Sequence, residues 1–103
     1  MPRQEDRVTF LTEVTLQFAS GRREARISDL SAGGCYVECV AMVRPGEIVR
    51  FDMPMPDGKT AQATGEVKYV FNGMGFGMRF QDVPDDMRAL IDWLLESSPA
   101  VAS

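Results

Sequence analysis

The sequence contains no histidine, and it has two cysteines, Cys35 and Cys39. Histidine is the commonest metal ligand in proteins and the residue most often used as a general base. Both cysteines fall on one face of a predicted strand, where their Cα atoms would lie about 13 Å apart, beyond the ~7 Å limit for a disulfide. The residues therefore offer neither a ready metal cluster nor a Cys/His or Ser/His nucleophile pair. We expect no cofactor and no enzymatic activity.

Long apolar runs are also missing. No stretch approaches the roughly 18 residues that a membrane-spanning helix needs, and the N-terminal segment lacks the pattern of a signal peptide. Cysteines that cannot pair with each other are typical of a reducing compartment. These features predict a cytoplasmic protein without membrane insertion.

Positive charge is in deficit, because 11 Lys and Arg residues stand against 15 Asp and Glu residues. The formal net charge is −4 and the pI is near 4.7. Broad affinity for DNA, RNA or anionic membranes needs a net positive field, so these partners are not expected. An anionic ligand must instead be held by local groups. With 103 residues and 45% hydrophobic content, the chain can form one domain with its own core.

Apolar and polar residues alternate over most of the chain, which is typical of half-buried strands. Asp57-Gly58 and Asn72-Gly73 are strong turn signals between such segments. In the segment 60–71, the alternation predicts that Tyr69 and Phe71 share the core face with the small residues before them. Met74 and Met78 are predicted to fill the core. The predicted strands are 8–18, 23–30, 34–41, 47–53, 60–71 and 74–80.

The period changes after Pro84, which fits the first position of a helix and is followed by Asp85 and Asp86 at the positive end of the helix dipole. Apolar residues then recur at helical spacing. The stripe consists of Met87, Leu90, Ile91, Leu94 and Leu95. Trp93 lies off this stripe, and the sequence leaves its role open between packing and self-association.

These patterns predict a mainly β domain over residues 1–103. Residues 8–81 are expected to form a small antiparallel β-barrel of six to seven strands, and a C-terminal α-helix over 84–96 is expected to cover one opening. Residues 1–7 are predicted to be a flexible, ligand-binding lead-in, and residues 97–103 a frayed tail.

The stretch 27–39, ISDLSAGGCYVEC, carries the strongest functional signal. Asp29 and Ser31 are two residues apart, so in an extended chain both side chains leave the same face. Gly33 and Gly34 permit positive φ and a close backbone approach. A carboxylate at a sheet rim can accept the paired N–H donors of a guanine edge. The alternative is an Asx-type turn between two strands, which is the commoner outcome of this composition.

The chain resembles the PilZ domain family. Arg3-Gln4-Glu5-Asp6-Arg7 is an RxxxR motif, and Asp29-Leu30-Ser31-Ala32-Gly33-Gly34 is a [D/N]xSxxG motif, in the order and approximate spacing of that family. The later GMGFGMRF segment and the terminal helix are also similar, so the resemblance runs from about residue 3 to 96. It implies a bacterial receptor for the second messenger cyclic di-GMP.

By this resemblance, Arg3 and Arg7 bind phosphate or guanine, Asp29 and Ser31 bind guanine from the barrel, and Gly34 keeps the turn open. Arginine suits this ligand because its planar fork pairs with phosphate or with guanine O6 and N7. Several charge-assisted bonds to the ligand can offset the cost of ordering the short lead-in. This balance predicts a switch in which ligand folds the lead-in across the barrel and changes the surface shown to a protein partner. That partner is expected in motility, exopolysaccharide or other signalling machinery.

Several residues depart from the pattern or stay unassigned. Glu5 and Asp6 make the RxxxR segment nearly neutral, which predicts weak affinity. Arg79 is predicted to face outward and is not expected to contact ligand. Three further arginines are expected to lie on a solvent-exposed hairpin and not in a ligand site: Arg22, Arg23 and Arg26.

Two rival functions remain open at this point. One is a PilZ-like module that binds proteins and no nucleotide. The intact motifs argue against it, and the acidic residues Glu5 and Asp6 keep it open. The other is a small barrel for single-stranded nucleic acid, which would need exposed aromatics in a basic groove. Neither the net charge nor the predicted position of Tyr36 supplies such a groove.

Overall fold

The structure is a computed structural model that describes residues 7–18, 21–40 and 42–97. Arg3 and the rest of the predicted lead-in before Arg7 lie outside the described residues, as does the predicted tail after Ser97.

Six strands form a closed antiparallel barrel in the order β1-β2-β3-β6-β5-β4, and one helix follows them. Pairing of β4 with β1 closes the barrel. The predicted mainly β class, antiparallel barrel and C-terminal helix are therefore confirmed. The elements are β1 (Arg7–Phe18), β2 (Gly21–Ser31), β3 (Gly34–Glu38), β4 (Ile48–Pro54), β5 (Thr60–Phe71), β6 (Gly75–Asp82) and α1 (Asp85–Ser97).

The core fills the barrel because alternate residues of each strand point inward. Phe51 and Phe76 are its largest fully buried side chains. Small residues of β5, Ala61 and Ala63, are also buried and leave room for them. Met87 and Ile91 of α1 are completely buried, so the helix covers part of the core through the predicted stripe. Within the described residues, no helix has the length and apolar character needed to cross a membrane.

A β-bulge in β5 reverses the predicted faces of two aromatic residues. Val67 pairs with Met78 and Tyr69 pairs with Gly77, which leaves Lys68 as an extra residue. Beyond the bulge, Tyr69 and Phe71 point outward and are 40% and 54% exposed. The prediction that both lie on the core face is therefore wrong, because one inserted residue shifts the alternation by one position.

Alternation also predicts the wrong position for Met74. It lies in the turn between β5 and β6, where its backbone N–H donates to the carbonyl oxygen of Phe71 at 3.0 Å. Its side chain is 66% exposed, whereas Met78 is buried as predicted. The prediction of Met74 as a core residue is wrong, because the tight turn carries it beyond the end of the sheet.

Candidate functional site

Arg7 and Asp29 meet at the rim of the barrel, where β1 begins and β2 nears its end. Thr9 pairs with Asp29 and Arg7 pairs with Ser31, so Arg7 and Asp29 are diagonal neighbours across the two strands. Arg7 Nη1 donates to Asp29 Oδ1 at 2.5 Å, and the two side chains remain 43% and 33% exposed. The structure thus brings together one predicted cation and one predicted acceptor on a solvent-accessible surface.

A bulge in β2 explains why Asp29 faces outward. Ile27 pairs with Val37 and Asp29 pairs with Tyr36, so Ser28 is an extra residue between them. Strict alternation would place Asp29 on the same side as Ile27, which is fully buried. The bulge turns the carboxylate to the surface and returns Leu30 to the core.

Ser31 closes the turn that follows β2. Its hydroxyl donates to the carbonyl oxygen of Gly34 at 3.2 Å and accepts from the N–H of Gly34 at 3.1 Å. Ser31 is 3% exposed. The side chain is therefore committed to the turn, as the simpler turn interpretation of the motif would have it, while Asp29 stays exposed. A direct contact of Ser31 with guanine remains a prediction.

Gly34 allows two strands to pack closely. A Cβ atom at this position would lie 2.0 Å from the carbonyl oxygen of Met78 on β6, whereas a Cβ at Gly33 would meet nothing within 4 Å. Neither glycine is among those with positive φ. Glycine is thus needed at position 34 because it has no side chain. The positive φ that glycine permits is not adopted there.

Outside the motif, the register places an aromatic surface beside Asp29. Asp29 pairs with Tyr36, Tyr36 with Gly77, and Gly77 with Tyr69, so these four residues form a row across β2, β3, β6 and β5. The rings of Tyr36 and Tyr69 are 6.3 Å apart at 25°, and the rings of Tyr69 and Phe71 are 5.4 Å apart. This aromatic cluster (Tyr36, Tyr69 and Phe71) was missed because the bulge at Lys68 has no clear sequence signal.

The phenol of Tyr36 is neutral at neutral pH, as an unperturbed tyrosine is, and its environment disfavours ionisation further. Burial raises the pKa of Tyr36 above its ordinary value, and the nearby Tyr69, Glu38 and Asp29 raise it further. The ring next to the Asp29 carboxylate is therefore an uncharged flat surface at neutral pH, to which a base can stack without repulsion from a phenolate.

Four arginines near the motif differ in their positions and contacts. Arg79 pairs with Gly34 and is exposed, so it stands on the same outer face as the row. Arg23 Nη1 donates to the carbonyl oxygen of Val40 at 3.2 Å, which gives it a structural role. Arg22 and Arg26 are exposed along β2. Arg79 is thus a cation beside the motif, although the sequence predicted no ligand contact for it.

Two cavities on the described surface are poorly suited to an anion. They have volumes of about 300 and 350 Å³ and are both lined by Glu13 and Glu24, and these carboxylates would repel a phosphate. In the part of the chain that the structure describes, no group of three or more His, Cys, Asp or Glu residues is placed to hold a metal ion.

Cys35, next to Gly34, is fully buried, and burial raises the pKa of its thiol to about 12, with Asp29 adding to the shift and Arg7 opposing it. The thiol is therefore protonated and not nucleophilic. Unfolding exposes a thiol with an ordinary pKa of 9.0, so above that pH the unfolded state loses a proton that the folded state keeps.

We expect the free energy of unfolding to fall as pH rises from about 9 towards 12. Denaturant unfolding between pH 8 and pH 10.5 checks this, with Cys35→Ala as the comparison. The variant should be less stable at every pH because of the cavity it creates, yet lose less stability per pH unit. Equal slopes for the two proteins would contradict the assignment to Cys35.

The sequence matches the PilZ domain family model over residues 2–97. No protein in a curated collection is significantly similar in sequence. The fold is similar to that of the Bacillus subtilis inhibitor of motility MotI/DgrA, with a TM-score of 0.77 and 19% identity. It is also similar to the Borreliella burgdorferi PlzA protein in complex with c-di-GMP, with a TM-score of 0.69 and 19% identity.

A third similar structure is the PilZ domain of CeSA from a cellulose-synthesizing bacterium, with a TM-score of 0.65 and 19% identity. The match covers 89% of this chain and 96% of that domain. The matches to MotI and PlzA cover 93% and 87% of this chain but 51% and 39% of theirs. The chain thus spans about half the length of MotI and less of PlzA, and identities this low show a shared fold.

Proposed function

Because the chain belongs to the PilZ domain family, we propose that it is a receptor for cyclic di-GMP that acts as a ligand-driven switch on a partner protein. The observation that carries the proposal is the contact of Arg7 with Asp29 on the barrel rim. Cyclic di-GMP is a dianion with two guanine edges, and its receptor needs cations, acceptors for N–H groups and flat surfaces. Arg7, Asp29 and Tyr36 offer one of each beside the turn, because Arg7 pairs with Ser31 and Asp29 pairs with Tyr36.

In this proposal, Asp29 accepts from guanine N–H groups while Arg7 pairs with phosphate or with guanine O6 and N7. One Asp29 oxygen bonds Arg7, and the other can accept from the ligand. Ser31 and Gly34 hold the shape of the turn. Arg79 adds positive charge on the same face.

Arg3 would supply a second guanidinium. It precedes Arg7 by four residues, a distance of about 13 Å in an extended chain, so it can reach the far side of a ligand seated on the rim. Ligand binding would order this segment over the barrel and alter the surface that a partner meets. The similar structures include an inhibitor of motility and a domain from a cellulose-synthesizing bacterium, which supports a partner in motility or exopolysaccharide production.

Calorimetric titration tests the proposal. We expect binding of cyclic di-GMP and no measurable binding of cyclic di-AMP, GTP or single-stranded RNA. Cyclic di-AMP is the sharpest control, because it keeps both phosphates and lacks the guanine edges. Binding of RNA alone would support a nucleic-acid barrel, and equal binding of both cyclic dinucleotides would contradict guanine recognition by Asp29.

Asp29→Asn should weaken cyclic di-GMP binding by roughly tenfold or more. The amide keeps the size of the side chain but loses the charge. Its NH₂ group is a donor and cannot accept from the guanine N–H groups, whereas both carboxylate oxygens can. Calorimetry gives the affinity, and Asp57→Asn is the control, since Asp57 lies in the β4–β5 turn and bonds the N–H of Lys59. Asp57→Asn should bind like the unsubstituted protein, and an equal loss in both variants would point to net charge.

A protein-binding module without nucleotide is the second candidate. The exposed aromatic cluster favours it, because Tyr69 and Phe71 present apolar surface on the outside of the barrel. This candidate predicts no heat with any nucleotide in the same titration.

A further inference from the structure

Arg88 connects α1 to the motif turn, here defined as residues 31–34. Its Nη1 donates to the carbonyl oxygen of Ala32 at 2.7 Å, across 56 residues of sequence. Its guanidinium carbon lies 5.9 Å from the centre of the Phe80 ring, within the range of a cation–π contact. The backbone N–H of Phe80 in turn donates to the carbonyl oxygen of Gly33 at 2.7 Å.

Both carbonyls at the centre of the motif turn are therefore held from outside it. The bend formed by Ala32 and Gly33 leaves their carbonyls outside the β2–β3 ladder, so each needs another donor or water. β6 satisfies Gly33 and α1 satisfies Ala32. The bond to Ala32 is charge-assisted and hence stronger than one between neutral groups. Contact with Phe80 also restricts the Arg88 side chain, which lowers the entropy cost of the hydrogen bond.

We infer that Arg88 is a positioning residue for the motif turn, and that it couples ligand binding at the turn to the docking of α1. The ligand half of this inference rests on the proposed function. If Arg88 holds the turn in the shape that binds ligand, then ligand must by linkage strengthen the attachment of α1. The helix thereby becomes a second surface, separate from the contact of Arg7 with Asp29, that responds to bound ligand.

Three variants separate this role from general effects of charge. Arg88→Met keeps most of the apolar stem and loses the guanidinium, and Arg88→Lys keeps the charge and loses the planar fork. Arg50→Met removes the same charge from an exposed position on β4, which does not pair with β2, β3 or β6. All three are measured far below their unfolding temperatures.

The first measurement is hydrogen exchange without ligand. Amides of residues 32–34 should exchange roughly tenfold faster in Arg88→Met than in the unsubstituted protein, while Arg50→Met leaves them unchanged. The second is calorimetry, where Arg88→Met should weaken cyclic di-GMP binding roughly tenfold and Arg88→Lys by less. The third is exchange with ligand, which should slow the amides of residues 85–97 in the unsubstituted protein and not in Arg88→Met.

Each outcome bears on the inference. Equal exchange and equal affinity in Arg88→Met and Arg50→Met would overturn it, and so would a loosened turn with unchanged affinity, because a purely structural role moves stability alone. If the unsubstituted protein binds no cyclic di-GMP, the proposed function fails. The ligand-free exchange comparison then still decides whether Arg88 restrains the turn.

Discussion

Replacing Arg7 by alanine is expected to lower the affinity for cyclic di-GMP at least a hundredfold, so that calorimetry no longer detects binding. Arg7 would make two or more charge-assisted bonds to the ligand, each contributing roughly 1.5–3 kcal/mol, and 1.4 kcal/mol corresponds to a factor of ten. Its loss would also leave Asp29 without its cation, and the bare carboxylate would repel the phosphates.

The same change should affect folding much less than it affects binding. The pair of Arg7 and Asp29 is partly exposed, and such pairs contribute about 0–1 kcal/mol to stability. For a domain of this size, that corresponds to a shift of about 4–8 °C at most in the unfolding midpoint. Scanning calorimetry or circular dichroism gives this value for the free protein.

Two further variants make the arginine test specific. Arg7→Lys retains the charge without the fork and should bind with intermediate affinity. Arg50→Ala removes a distant charge and should bind normally. Undiminished binding by Arg7→Ala would reject the role of Arg7, and with it the ligand surface proposed on the barrel rim.

Gly34→Ala is expected to destabilise the fold by about 3 kcal/mol, the upper part of the usual range for overpacking. The new Cβ would lie 2.0 Å from the carbonyl oxygen of Met78 and 3.2 Å from the Cα of Arg79, and both are backbone atoms. Backbone atoms cannot change rotamer as a flexible side chain can, so β3 and β6 must move apart to make room for the methyl group. The free energy of unfolding in urea measures the effect.

Gly33→Ala is the matched control, one residue away in the same turn. A Cβ there meets nothing within 4 Å, so the substitution should alter stability by no more than about 0.5 kcal/mol, as at other unconstrained surface positions. The difference between the two variants isolates the close approach of β6 from the general effect of losing a glycine. Equal stability of the two variants would show that the strands relax around the added methyl group.

The strands and the helix were predictable because each rests on a local period. Alternation in segments such as 60–71 predicts a strand without knowledge of its partner strand. The apolar stripe after Pro84 predicts a helix without knowledge of the barrel. The approximate number of strands and the presence of the C-terminal helix follow from these periods. The candidate site was predictable only as motifs, and the binding roles of Arg3, Arg7, Asp29, Ser31 and Gly34 remain predictions.

Alternation alone did not predict the positions that follow a bulge. A single extra residue, Ser28 in β2 or Lys68 in β5, reverses the face of everything after it. The first bulge exposes Asp29, and the second exposes Tyr69 and Phe71. The residue that becomes extra is selected by pairing with neighbouring strands, and those strands are distant in sequence.

By itself, the sequence determined that this chain forms a β-barrel with a terminal helix and carries an arginine motif and a D-x-S-x-x-G turn. The tertiary structure decided that Arg7 contacts Asp29, that Ser31 is enclosed in the turn, and that Arg88 reaches Ala32. The physical reason is the range of the interactions. Hydrophobic periodicity is a property of adjacent residues, whereas bulges and side-chain contacts across 22 or 56 positions exist only once the barrel has closed.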